Sequence, residues 1–247
     1  MRAVDVVRRI ARRAVPLEMR QAVSHARRGM RDRARGISFG DERGGGDWAA
    51  RVELCQRVMP SSVIEAKLAN LRLGASLIDE SVMEPGARWS FWHRVGRPIA
   101  RRGFVAGRNI VDGRLVTQAG GGLCQLSSII HHLALLGGMV VDERHAHSID
   151  IYREDERFTP LGADATVVWG VKDLRLRNPH PFAVSLSCSL DGMRLIAHLR
   201  GQGEIPPRDI GFRREPVSPG RVRVWTIVDG AALRETEYEQ RPGLVLA

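Results

Sequence analysis

Four residues in this sequence have types and spacings that could do chemistry together: Cys124, His145, His147 and Asp164. Cys124 follows Gly120-Gly121-Gly122, and beyond it Leu123, Leu126, Ile130 and Leu133 recur on one helical face until Gly137-Gly138. Three successive glycines let the backbone take positive φ and approach a neighbour closely. A cysteine on the first turn of a helix meets free N–H groups and the positive end of the helix dipole, and both favour the thiolate. Cys124 is therefore a candidate nucleophile. The plainer reading is a buried free thiol under a glycine turn.

A thiol nucleophile needs a base within hydrogen-bond reach, and the base needs an orienting group. His131 follows Cys124 by seven residues on the same helix. At about 1.5 Å of rise per residue it sits roughly 10 Å along the axis, too far to take the proton. His132 points elsewhere. The segment from Met139 to Tyr152 reads as one long strand or two, and alternation places His145 and His147 on the face of Ile149 and Ile151. Either imidazole could reach Cys124 from there. Asp164, at the start of the next apolar run, could then fix the imidazole tautomer. Backbone N–H groups from Gly122 to Gln125 would supply an oxyanion hole. The reaction would be amide hydrolysis or transpeptidation through a thioester. In layout alone this is similar to transglutaminase-like and papain-like enzymes. Gly120, Gly121, Gly122, Gln125, Ser127 and Trp92 are the candidate substrate-binding residues.

Other readings use the same residues. Cys124, His145, His147 and Asp164 could ligate zinc, although a site with one cysteine is less specific than paired Cys-x-x-Cys motifs. The glycine loop and helix start could bind a carboxylate or phosphate with no reaction. The histidines could be one core residue and one hydrogen-bonded structural residue, and Asp164 a cap. No cofactor or metal is assigned.

These residues need a scaffold, and the rest of the chain describes one. With 247 residues, 43% hydrophobic and 27% charged, there is ample material for a core. The net charge of +10 is concentrated at the start: eleven arginines against three acidic residues leave +8 within residues 1–35. Val4, Val7, Ile10, Ala11, Ala14 and Leu17 are spaced as on a basic amphipathic helix, interrupted near Pro16. That pattern suits an anionic membrane surface; without interleaved aromatics, nucleic acid is a poor candidate partner. Residues 36–47 read as a linker, and 48–247 as the main domain. A helix is expected from Trp48 to about Val58. Another is expected from Ser61 or Ser62 to Leu71, with Glu65 completing a capping box. Ala87 to Gly96 reads as an aromatic strand, Asp112-Gly113 as a hairpin turn, and Asp164 to Trp169 as a strand. A hairpin is expected around Asp191-Gly192, and two more strands over Arg221 to Tyr238. The fold class is α+β, a mainly antiparallel sheet with a central helix starting at Cys124, plus N-terminal helices. Cys55, Cys124 and Cys188 form neither a disulfide framework nor metal-ligand spacing, which favours a reducing compartment. No run of about 18 apolar residues is present. The arginines also break up any signal-peptide core. The expected location is cytoplasmic, with peripheral contact at the inner face of the membrane through residues 1–35.

Between Asn70 and Gly201 the chain resembles the VanW family, named for an accessory protein of B-type vancomycin-resistance clusters. The resemblance rests on Pro85-Gly86, Ser90-Phe91-Trp92, Val95-Gly96, Gly103-Phe104 and Gly113, and above all on Gly120 through Ser127. It continues through Glu143 to Ser148, Pro160-Leu161-Gly162, Asp164 to Val167 and Asp173 to Asn178. It implies a glycopeptide-resistance or cell-envelope context, and within the motif the second histidine is the firmer element, so His147 is preferred to His145. The function expected is cysteine-dependent acyl transfer or amide cleavage on a peptide. The alternatives are a non-catalytic module binding a peptide or peptidoglycan precursor, and a peripheral membrane scaffold.

Overall fold

From residue 51 to 57 the chain alternates: Arg51, Glu53, Cys55 and Arg57 are exposed, while Val52, Leu54 and Gln56 turn inward. A period of two is a strand, not a helix. In a computed structural model, which describes residues 15–40, 42–46, 48–111 and 114–241, this segment is β1 (Ala50–Arg57). The expected helix over 48–58 is thereby corrected. β1 is the edge of an antiparallel sheet in the order β1, β10 (Arg194–Gly201), β9 (Val184–Asp191), β2 (Ser81–Met83). β9 and β10 form the hairpin expected around Asp191-Gly192.

Two helices cover this sheet. α2 (Ile64–Ile78) packs on β9, and α4 (Leu123–Leu136) packs on β1 and β10. α2 begins at Val63 without a side-chain cap, so the expected capping box is absent and the helix runs further than Leu71. The helices touch at Gly74, where a Cβ would lie 2.8 Å from Leu123 and 2.9 Å from Leu126. Leu71, Ile78, Leu126, Ile129, Ile130 and Leu133 are wholly buried between helices and sheet. At about 25 cal/mol per Å² of apolar surface, such a layer is the main stabilising term.

Three further sheets surround this core among the described residues. β3 (Arg88–Ser90), β8 (Arg175–Arg177) and β6 (Val140–Glu143) form one. The aromatic stretch expected as a strand to Gly96 is β3 followed by a short helix, α3 (Phe91–Val95), because the Ser90 hydroxyl caps it by accepting the His93 N–H at 3.1 Å. The hairpin β4 (Ala106–Val111) and β5 (Arg114–Ala119) runs into the glycine loop; its expected turn, Asp112-Gly113, lies outside the described residues. A meander of β11 (Ile210–Ser218), β12 (Arg221–Val228) and β13 (Ala231–Gln240) closes the chain, with β7 (Ile149–Asp150) parallel to β13. β11 was not expected; Ile210 to Ser218 is half-buried or exposed along its whole length and lacks a clear alternation.

The stretch from Met139 to Tyr152 is two strands, β6 and β7, separated by irregular backbone at 144–148. The histidines therefore do not alternate on a strand. The expected strand from Asp164 to Trp169 is absent for a related reason. Its N–H groups go elsewhere: Ala165 donates to Ser128 Oγ at 2.9 Å and Thr166 to the His145 carbonyl at 2.7 Å. The architecture is α+β, as expected.

α1 (Leu17–Ala34) lies against this body. Asp32 accepts two hydrogen bonds from Arg175, each 2.8 Å, Arg28 pairs with Glu143, and His25 stacks on Trp169 with centroids 4.8 Å apart. The earlier periodicity from Val4 to Ala14 lies outside the described residues. Among the described residues no helix is long and apolar enough to cross a membrane.

Candidate functional site

Two of the three consecutive glycines answer a steric demand of their own, and the middle one packs against a fourth glycine. Gly120 has φ +88°, and a Cβ there would lie 2.8 Å from Pro98. Gly122 has φ +100°, and a Cβ there would lie 2.8 Å from Cγ of Lys67. Gly121 passes so near β4 that a Cβ on Gly107 would lie 3.1 Å from its Cα. Wholly buried Asn70, on α2, fastens the loop by donating to the carbonyls of Gly121 and Val105, both at 3.0 Å, while accepting the Val105 N–H at 2.9 Å. The loop is fixed in the folded state, and Cys124 follows it as the second residue of α4.

Here Cys124, His147 and Asp164 come together. Burial alone pushes the Cys124 thiol up, but the charge and hydrogen bond of His147 beside it bring it below the ordinary thiol value. The Thr166 hydroxyl lies 3.6 Å from Sγ and the Val167 carbonyl 3.8 Å. On its other side the His147 imidazole donates from Nδ1 to Oδ2 of Asp164 at 2.8 Å, and the His147 backbone N–H reaches the same oxygen at 2.8 Å. Burial pushes His147 down; Asp164 and Cys124 outweigh it and hold the ring well above its usual value. Asp164 is buried, which alone would raise its carboxyl, yet His147 and Arg144 hold it well below the usual carboxylate range.

Two residues that the sequence did not single out complete this carboxylate's surroundings. Arg144 donates to Asp164 Oδ1 at 2.8 Å, and the Tyr238 hydroxyl donates to the same oxygen at 2.5 Å. Arg144 also donates to the Tyr238 hydroxyl at 2.9 Å and to Thr236 Oγ1 at 2.9 Å. Tyr238 is wholly buried and arrives on β13. No local pattern marks it, since it lies 74 positions from Asp164. Arg144 had a faint signal: an arginine directly before the histidine pair.

His145 is placed differently. Its Nε2 faces Oε1 of Glu143 at 2.9 Å, and its side chain is 37% exposed. The shared face expected for the two histidines is corrected, because the intervening backbone is not part of a strand. Ser127, also expected at the binding surface, is wholly buried with its hydroxyl donating to the Ala165 carbonyl at 2.6 Å. It holds the 163–167 segment against α4. His131 is buried with Nδ1 donating to the Ala163 carbonyl at 2.7 Å, and burial lowers it to about 3. Among the described residues no cluster of three or more His, Cys, Asp or Glu side chains is placed to hold a metal ion.

Cys124, His147 and Asp164 lie on the wall of a cavity of about 860 Å³. Gly120, Gly121, Gly122, Gln125 and Trp92 also line it. Trp92 is held by its indole N–H, which donates to the Lys172 carbonyl at 2.7 Å, and Gln125 Nε2 donates to the Arg57 carbonyl at 3.0 Å. Tyr152 and Phe158, edge to face at 5.6 Å, form an aromatic wall, and Leu17, Glu18 and Gln21 of α1 contribute at one side. The size and mixed lining suit a small organic or peptide ligand.

The family profile described as "VanW like protein" matches residues 66–200. An uncharacterized protein of Bacillus subtilis (strain 168), YoaR, is 30% identical over 153 residues, covering 62% of this chain and 48% of that protein. The vancomycin B-type resistance protein VanW of Enterococcus faecalis (strain ATCC 700802 / V583) is 28% identical over 135 residues, covering 55% of this chain and 49% of that protein. The chain thus spans about half the length of the curated relatives it matches. No solved structure matches. The matched region includes the glycine loop, Cys124, Arg144, His147 and Asp164, though not Tyr238. On that extent of agreement the chain belongs to the family of VanW-like proteins.

Proposed function

We propose that this protein is a cysteine-dependent acyl-transfer or amide-cleaving enzyme acting on a peptide in a cell-envelope or glycopeptide-resistance setting. One observation carries the reading: a thiol held below its ordinary pKa, beside an imidazole whose far nitrogen donates to a buried carboxylate, on the wall of a cavity. Structural cysteines in cores behave oppositely, as Cys188 does, where burial drives the thiol up.

In the reaction so read, the Cys124 thiolate attacks an amide carbonyl. The carbonyl oxygen gathers negative charge opposite the loop and helix start, where the Cys124 N–H has no backbone acceptor among the described residues. The His147 imidazolium gives its proton to the departing amine, leaving a thioester. Water or a second amine then gives up a proton to His147 and attacks the thioester, releasing the acid or the new amide. Asp164 keeps the imidazole in the tautomer whose Nε2 faces sulfur. Glycopeptide resistance is named for the Enterococcus relative, and the setting proposed here follows from that kinship.

Competitive alkylation tests the reading. Iodoacetamide at neutral pH should label Cys124 at least about tenfold faster than Cys188 or Cys55, and His147→Ala should erase that preference. Equal, slow labelling of all three would leave a non-catalytic peptide- or precursor-binding module.

A second reading concerns α1 and is supported by its outer face. Met19, Val23 and Met30 are 60%, 50% and 58% exposed, and their spacing places them on one side of the helix. Arg20, Arg27 and Arg31 flank them, while His25, Arg28 and Asp32 face the body. An apolar stripe bordered by arginines suits the headgroup region of an anionic membrane. Vesicles containing phosphatidylserine should retain the protein at low salt, and Met19→Glu with Val23→Glu should release it; retention unchanged by the pair would rule the contact out.

A further inference from the structure

The charged residues around the cavity do not cancel. Glu18 accepts from Arg97 at 3.1 Å, Asp150 pairs with Arg157 at 2.5 Å, and Asp164 is bound by Arg144 and His147. Every acidic residue that lines the cavity is thus matched by a basic partner. Lys67 also lines it, yet among the described residues no carboxylate lies within ion-pair distance of its ammonium. The centroid of the Phe158 ring lies 6.0 Å from the Lys67 Nζ.

The placement of Lys67 is built in. It stands on α2 one turn before Asn70, the residue that fastens the glycine loop, so both side chains issue from the same helical face. The Lys67 stem crosses directly over Gly122, whose missing Cβ would otherwise lie 2.8 Å from Cγ. The third glycine of the motif therefore does two things: it takes the positive φ that starts α4, and it leaves room for this lysine. Largely removed from water, the ammonium has been pushed down to about 8 by burial. A cation that gives up hydration without gaining a partner is costly, and a ligand's anionic group recovers that cost on binding.

We propose that Lys67 is a specificity residue that receives a carboxylate of the substrate, so that the cavity selects acyl donors bearing a free carboxyl group near the amide that Cys124 attacks. This rests on the reading of Cys124 as the nucleophile. It narrows the substrate class from peptides in general to peptides that present a carboxylate.

Alkylating reagents in matched pairs, each differing only in charge, test the proposal on the full chain. Iodoacetate is compared with iodoacetamide, and N-iodoacetylglycine with its amide, so that two distances from sulfur are sampled. Each rate at Cys124 is divided by the rate with a small free thiol, and the carboxylate-to-amide ratio within a pair cancels any change in the sulfur itself. In at least one pair the carboxylate should be favoured on the order of tenfold, the scale of one well-placed partly buried ion pair. Lys67→Met should bring that ratio to one, and Lys67→Arg should keep most of it. The proposal is overturned if neither pair favours the carboxylate, or if the preference survives in Lys67→Met. Failure of the underlying reading looks different: iodoacetamide would then not distinguish Cys124 from the other cysteines at all.

Discussion

Two imidazoles, one buried and one half-buried, donate from Nδ1 to neighbouring residues of one segment and are driven in opposite directions. His131 donates to the Ala163 carbonyl, a neutral acceptor, and burial lowers it to about 3. His147 donates to the Asp164 carboxylate and, with Cys124 on its far side, is held well above its usual value. Burial pulls both rings down, although His131 is 2% exposed and the His147 side chain 29%, so burial by itself cannot raise one of them. The difference is a formal negative charge within hydrogen-bond distance, in a setting where water screens little. α4 therefore carries an inert ring that braces the fold, while the irregular 144–148 segment carries a ring prepared to hold a proton.

The most damaging way to break this contrast is to remove the charge. Asp164→Asn keeps the shape but leaves Arg144 buried without its counter-ion, which should cost about 3–5 kcal/mol in urea unfolding at neutral pH. It should also slow Cys124 alkylation toward the rate of an ordinary thiol. A loss under about 1 kcal/mol would mean that Tyr238, Thr236 and the backbone carbonyls of residues 162 and 164 satisfy Arg144 without the carboxylate.

A smaller change sharpens the other side of the comparison. His131→Leu strands the Ala163 carbonyl and should cost about 1–3 kcal/mol at neutral pH. Its effect should shrink on acidification. The native ring resists protonation down to about 3, whereas the unfolded ring takes a proton below about 6.5. Stability therefore falls as pH drops through that window, by about 1.4 kcal/mol per pH unit from this group. The leucine variant lacks that slope, so parallel unfolding series between pH 7 and 4.5 should converge. His147 has the opposite sign: being raised, it contributes stability in full below its ordinary value, and that contribution is lost as pH climbs through the native one.

The sequence was most informative where local spacing and function coincide. Leu123, Leu126, Ile130 and Leu133 with Gly137 place α4 correctly, and the glycine run points to the loop before it. Period-two segments such as Arg194 to Gly201 were equally plain. What stayed hidden depends on long-range contacts. Arg144 turns inward because Asp164 and Tyr238 receive it, and that inward turn keeps 144–148 from being a strand and separates His145 from His147. Asn70 looks like an ordinary polar residue in a helix until the loop it fastens is in place. The segment 50–57 was misread because a strand at a sheet edge with charged outer positions also resembles a polar helix in composition; only the alternation separates them.

Tyr238 reaches Asp164 from the last strand of the meander, outside the stretch matched by the family profile. During synthesis, then, the loop, the helix and the sulfur are all made well before the phenol that settles their carboxylate. A ribosome-bound chain would hold the parts of the centre without its final clasp, and proteolytic trimming of that strand would undo the clasp in a finished molecule. On the proposed reading, the competence of the sulfur is tied to that last strand having folded, and not only to the segment that carries it.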